Sequence, residues 1–345
     1  MLALASGCSL VDTAGLAGRS EPPPDASTTA PDSSTFDDGA AEASPGDARL
    51  DVSPGPPTFD GPVVLARDSP GPRGLDVDGN RVYWANEDTG QIRSVLKTGS
   101  PDAGSTLFIL APGATDLVAD TTRVNWIDRA LTGGYEHALM DAKKDGTDRR
   151  YHFDNQVSTR MTIAGPYVYT SSGKNNGSHI FRFSSVDAVD LISLGGLNPK
   201  ALASDALTVY YEHGGAVHTI PEPDGGGPFA NAEAIDIKVD DDYVYWISSS
   251  GALQRLGKQT RGQPPQDLAT GLVSPVRLAL DSDSVYVTMW GTATGHGRVI
   301  RVPKAGGSSV DLAKDLSEPW GVAVDNTGVY VANHGDGAIV VIPRK

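Results

Sequence analysis

One cysteine stands in 345 residues, so no disulfide closes within the chain and its fold rests on packing and hydrogen bonding. No run of about 18 apolar residues occurs, which excludes a membrane-spanning helix. Lys and Arg form no cluster, and 28 basic against 43 acidic residues leave a net charge of -15. A nucleic-acid partner, which calls for grouped cations facing phosphate, is therefore set aside. There is no G-x-S-x-G elbow to present a serine nucleophile. Aromatic residues make up only 7%, yet they recur at regular places. Glycine and proline are abundant, at 40 and 24, and they favour short strands joined by turns over long helices.

The position of the cysteine says more than its number. A small apolar run, "MLALASGCSL", ends in Ala5-Ser6-Gly7-Cys8. This resembles the lipobox of bacterial lipoproteins, which implies acylation of Cys8 and membrane attachment through a lipid anchor only. Ala5 departs from the Leu or Val usual at its position, no basic region precedes the apolar run, and that run is shorter than a signal peptide's; a start upstream of Met1 would explain the last two. Ser9 implies, by resemblance to enteric lipoproteins, sorting to the outer membrane, facing the periplasm or the surface. Residues 1–19 are read as this truncated signal and anchor region.

Residues 20–58 hold only Phe36, Leu50 and Val52 as large apolar side chains. Such a segment cannot bury enough surface to offset its ordering entropy, so it reads as a disordered Pro/Ser/Asp-rich linker. As a flexible coil it spans roughly 35 Å, suitable for a tether. Residues 1–58 contain nine acidic and two basic residues, so nearly half of the net charge lies in about a sixth of the chain.

From residue 59 to 345 one phrase recurs seven times, from "GLDVDGNRVYW" at Gly74 to "GVAVDNTGVYV" at Gly321. Its aromatic position is held by Tyr83, Asn125, Tyr169, Tyr210, Tyr245, Tyr286 and Tyr330, about 41 residues apart. That period, with strand-like runs between turn residues, predicts one four-stranded propeller blade per repeat. Five residues before the aromatic position stands Asp78, Asp120, Asp205, Asp240, Asp281 or Asp325, with Ala164 in the third repeat. An Asp there accepts hydrogen bonds from the amides of the following turn. The stretch Val63 to Ala66 reads as an outer strand without a blade, while the last repeat lacks an outer strand. Pairing of Val63-Val64 with Ile339 to Val341 closes the ring and removes two sheet edges. The expected fold is all-β: a seven-bladed β-propeller closed by an N-terminal outer strand and preceded by a disordered tether.

The phrases "PWGVAVDNTGVYVAN" and "PRGLDVDGNRVYWAN" resemble NHL-type, YVTN-type and YWTD-type propeller repeats over about residues 60 to 345. The resemblance implies a fold and not an activity, since such propellers include receptors, surface-layer proteins, lactonase-like hydrolases and a streptogramin lyase.

Ligands of propellers usually bind where the loops into strand a and from strand b to c surround the channel mouth. Arg73, Arg160, Arg277, Trp290 and Trp320 fall there and suit a protein, peptide or glycan ligand, with Tyr135 as a further rim aromatic. The charges Asp116 with Arg160, and Asp236 with Arg277, begin strand a of adjacent blades, so mutual salt bridges are expected. Several histidines, His137 beside Glu136 among them, lie in or next to the b-to-c loops. His213 and His334, with Glu212 and Asp336, form the alternative: a divalent metal supporting a hydrolase or lyase. The main reading is a cell-envelope lipoprotein whose propeller is a non-catalytic binding scaffold, with no cofactor assigned.

Overall fold

The computed structural model describes residues 57–345 apart from 68–69, 100–103, 129–137, 154–156, 175–176, 185–187, 194–198, 206 and 222–226. Cys8, the 1–19 region, the linker up to residue 56, and Tyr135, Glu136 and His137 lie outside the described residues. Among those described there are 27 strands and no helix, in keeping with the glycine and proline content.

The strands form seven antiparallel sheets, the blades of a β-propeller. Blades one to six span residues 72–110, 114–153, 157–193, 202–220, 236–269 and 275–316, and blade seven uses 319–343. Each begins with an innermost strand a, followed by b and c; six have four strands. Blade four has three named strands, and a bridge from Val217 to Ala230 stands at its outer edge. Each innermost strand packs against the next, and that of blade seven against that of blade one.

Strand b shows why these residues form seams between blades. Its side chains alternate between two faces: Val82 and Trp84 point into the cluster shared with blade seven, Tyr83 and Ala85 into the one shared with blade two. Both faces are covered, so Val82, Tyr83, Trp84 and Ala85 run consecutively without a charged or amide side chain between them. Trp84, Trp126 and Trp246 are each 0% exposed, and Tyr83, Tyr210, Tyr245, Tyr286 and Tyr330 are buried in the seams beside them. The core is thus divided into separate blocks, one per seam.

The ring closes as the sequence predicts. Val63–Ala66 pairs antiparallel with Ala338–Pro343, matching Val63 to Val341 and Val64 to Val340, then Ala66 to Ile339 across a bulge. Leu65 and Ala66 are buried, at 2% and 0% exposure, among Trp84, Tyr330 and Ile339. Residues just upstream reinforce the junction. Asp60 donates its amide to Pro343 O at 2.9 Å, the Phe59 ring meets Tyr286 edge-on at 6.1 Å, and Arg301 Nη1 donates to Pro57 O at 2.6 Å.

Candidate functional site

The innermost strands surround a central cavity of about 320 Å³. Its wall carries charge of both signs: Asp76, Asp116 and Asp236 face Arg73, Arg160, Lys238 and Arg277. Asp76 accepts hydrogen bonds from the amides of Val77 and Ala119, both at 2.8 Å. Burial nevertheless pushes its carboxyl above the usual range, because a low-dielectric wall penalises the anion more than two amides favour it. Small residues let the strands converge here. A Cβ on Gly321 would lie 2.2 Å from Arg73 O, so no side chain fits where blades seven and one meet.

The structure replaces the expected pairing of Asp236 with Arg277. Asp236 Oδ2 accepts from the Leu278 amide in the next blade at 2.9 Å, and Arg277 Nη1 donates to Val276 O at 3.1 Å. A backbone amide reaches the carboxylate first, since strand a of blade six runs directly past it. The Arg277 guanidinium is left over the ring of Trp320, 5.7 Å from its centroid.

At the channel mouth the predicted rim residues converge. Trp320, in Pro319–Val324, and Trp290, just after Ser284–Met289, meet edge to face at 4.9 Å. The Arg73 guanidinium stands 4.4 Å from the Trp320 centroid and is ion-paired with Glu87 at 2.7 Å. The His334 ring is 6.1 Å from Trp290 and 6.3 Å from Trp320, with Nδ1 3.4 Å from Glu318 Oε2. Beside Trp290 and Glu318 a groove of about 370 Å³ runs along residues 291–294. Arg160 lines the central cavity with Arg73 and Arg277. Arg73, Arg160, Arg277, Trp290, Trp320 and His334 are all half-buried, held by the scaffold yet open to a ligand.

The residues chosen for a metal do not assemble. His213 and Glu212 belong to blade four and His334 and Asp336 to blade seven, across the ring from one another. Glu212, 2% exposed, spends its oxygens on backbone amides of its own blade, accepting from Gly215 in the following turn at 3.0 Å and from Lys200, just before the innermost strand, at 3.4 Å. Asp336 accepts from the Ala338 amide at 3.2 Å and faces Arg67 at 3.8 Å. Among the described residues no group of three or more His, Cys, Asp or Glu side chains stands close enough to hold a metal ion.

The opposite face, formed by the a-to-b turns, carries an arrangement that the sequence reading captured only in part. In all six cases Oδ1 of the turn Asp accepts from two following amides, as for Asp78 with Asn80 and Arg81, both at 2.8 Å. In five of them Oδ2 also receives a cation from the end of strand c in the next blade. Lys144 reaches Asp78 at 2.9 Å, Lys258 reaches Asp205 at 2.6 Å and Lys304 reaches Asp240 at 2.7 Å; Arg344 pairs with Asp281 and Lys97 with Asp325. The aromatic-position tyrosine completes the clasp: the hydroxyls of Tyr83, Tyr245 and Tyr286 donate to the same Oδ2 at 3.2, 2.9 and 2.6 Å. A Lys or Arg after strand c in five of the seven repeats was the available signal, but its partner lies one repeat earlier.

No protein-family model and no curated protein matches this chain. Solved structures do match it. A chain of the Mitotic Checkpoint Complex aligns with a TM-score of 0.63 at 13% identity, over 88% of this chain and 97% of that one. The computationally designed Ika8 protein aligns with a TM-score of 0.55 at 15% identity, over 81% and 99%. PorZ, a bacterial surface component of the type-IX secretion system of Porphyromonas gingivalis, aligns with a TM-score of 0.57 at 12% identity. That alignment covers 81% of this chain and 37% of PorZ, so the chain spans well under half of PorZ. At these identities the likeness is one of fold.

Proposed function

We propose that this chain is a cell-envelope lipoprotein whose propeller binds a protein, peptide or glycan at the channel mouth without transforming it. The observation that carries the binding site is the convergence of Trp290, Trp320 and His334 beneath two guanidinium groups, next to an open groove. Half-exposed tryptophans offer a flat apolar face to a sugar ring or a peptide side chain, and Arg73, Arg160 and Arg277 favour a ligand that also carries carboxylates. Glu318 and Glu87 add acceptors for its hydroxyl or amide groups. The bacterial envelope location and the anchor rest on the residues around Cys8 and on the composition of 20–58.

Tryptophan fluorescence tests the site directly. Trp84, Trp126 and Trp246 are wholly buried, so a ligand-induced change reports on Trp290 and Trp320. Titration with a panel of acidic oligosaccharides and acidic peptides should give a saturable change that Trp320→Ala abolishes. A panel that never saturates, or a Trp320→Ala protein that responds like the parent, overturns the reading. Labelling with radioactive palmitate in cells, lost on Cys8→Ala, tests the anchor; no incorporation into the parent removes it.

A further inference from the structure

The seam between blades two and three lacks the clasp, and a cavity stands in its place. Asp120 has the usual turn bonds, from the amides of Thr122 and Arg123 at 2.7 Å each. Its Oδ2 accepts from Asn125 Nδ2 at 3.2 Å. Asn125 occupies the position filled by tyrosine in the other six repeats, so a whole phenol ring is missing. No cation reaches Asp120 among the described residues, whereas all five of its counterparts have one. The position in register with those cations is Ser185, which lies outside the described residues.

Where the ring and the ammonium group would sit, a cavity of about 290 Å³ opens between the two blades. Asp120 and Asn125 line one side, Arg123, Arg150 and His152 also border the cavity, and Leu139, Ile163, Tyr167 and Phe183 give it apolar walls. The basic groups at this seam are already engaged: Arg123 and His152 pair with Asp141, and Arg150 pairs with Asp148 at 2.9 Å. Asp120 is therefore the carboxylate left to receive a cation. Burial pushes its carboxyl up, but hydrogen bonds from Thr122, Arg123 and Asn125 outweigh that and hold it below the usual range, so it is an anion at neutral pH.

We infer that this seam is a second binding site, for a primary alkylammonium group whose apolar stem lies against Phe183, Leu139 and Ile163 while its N–H donors reach Asp120. The five clasps are the template, because each shows a lysine or arginine of this chain making that contact in an equivalent seam. The ligand enters as those side chains do, stem along the seam and head group on Oδ2. The site lies on the face away from the channel mouth, so its occupancy is independent of the proposed rim function. A free amine and a lysine side chain of a partner protein share this chemistry.

Calorimetric titration of the full chain at constant ionic strength, using n-butylammonium and Nα-acetyl-lysine amide as probes, tests the site. We expect saturable binding of one equivalent, weakened roughly 10- to 100-fold by Asp120→Asn, as for loss of a charge-assisted hydrogen bond. Asn keeps an acceptor for the turn amides, so this variant retains its fold. Asn125→Tyr restores the missing ring, and it should weaken binding while leaving the melting temperature unchanged or higher. Binding of butylammonium alone identifies a free amine; binding of both probes identifies a lysine side chain as a fitting occupant. Absence of saturable binding, or equal binding by parent and Asp120→Asn, overturns the inference.

Discussion

Leu65 offers the sharpest test of ring closure. It sits in a four-residue strand supplied from outside the seven repeats, 2% exposed, packed among Trp84, Tyr330 and Ile339. Two residues earlier on the same strand, Val63 is 43% exposed. Leu65→Ala removes a buried isobutyl group from a site walled by rigid rings that cannot collapse inward, which costs about 2–4 kcal/mol. For a domain of this size each kcal/mol moves the melting temperature by roughly 2–4 °C, so the midpoint should fall by roughly 4–16 °C. Val63→Ala, made on the same strand, should cost well under about 1 kcal/mol, as for an exposed site. Thermal melts followed both by circular dichroism and by tryptophan fluorescence should shift together, since Trp84 and Trp126 lie in different seams. Equal midpoints for the two variants would refute the reasoning, because the strand would then contribute pairing without packing. A shift confined to one of the two signals would refute the claim that closure stabilises the whole ring.

Four further outcomes follow from the seams and the channel. Lys304→Met keeps the methylenes but removes the cation from Asp240, and it should cost about 1–3 kcal/mol, read as a lower urea midpoint with an unchanged slope. The six turn carboxylates are held below their usual range, Asp78 at about 2, by hydrogen bonds that outweigh burial. Their contribution is present above about pH 4 and is lost as the pH falls toward 2, which acid melts should show. Burial, then the neighbouring Asp charge, pushes Tyr83 and Tyr210 up to about 12. Stability should therefore be lost as pH rises from about 10 to 12, with phenolate absorbance appearing together with unfolding. Gly321→Ala drives a methyl group into Arg73 O and should cost about 3 kcal/mol, displacing Arg73 and weakening any ligand at the rim by fluorescence titration.

The propeller was legible because its signals are local. A turn Asp and an aromatic residue five positions on, each present in six of the seven repeats, recur with alternating apolar neighbours, and each is explained by the turn or the strand that contains it. Closure was legible for a related reason, since Val63 to Ala66 resembles an outer strand with no blade of its own. The rim was partly legible, as aromatic and basic residues fall on loops that the fold brings to one mouth. The clasps were not read, because Asp78 and Lys144 belong to different repeats and neither is unusual within its own. Asp236 was misread for the opposite reason: the sequence shows charges, but not the Leu278 amide that reaches the carboxylate before any guanidinium.

The closing sheet joins residues 63–66 to 338–343, so a contact made by the strand before the first blade waits for the last strand of the seventh. During synthesis the leading strand emerges long before its partner exists, and six blades can stack while the seventh stays open along one border. Contacts of such long sequence separation slow folding. The finished toroid therefore arises only after residues 338–343 are free, and a nascent chain stalled within that strand should behave as an open, protease-sensitive arc.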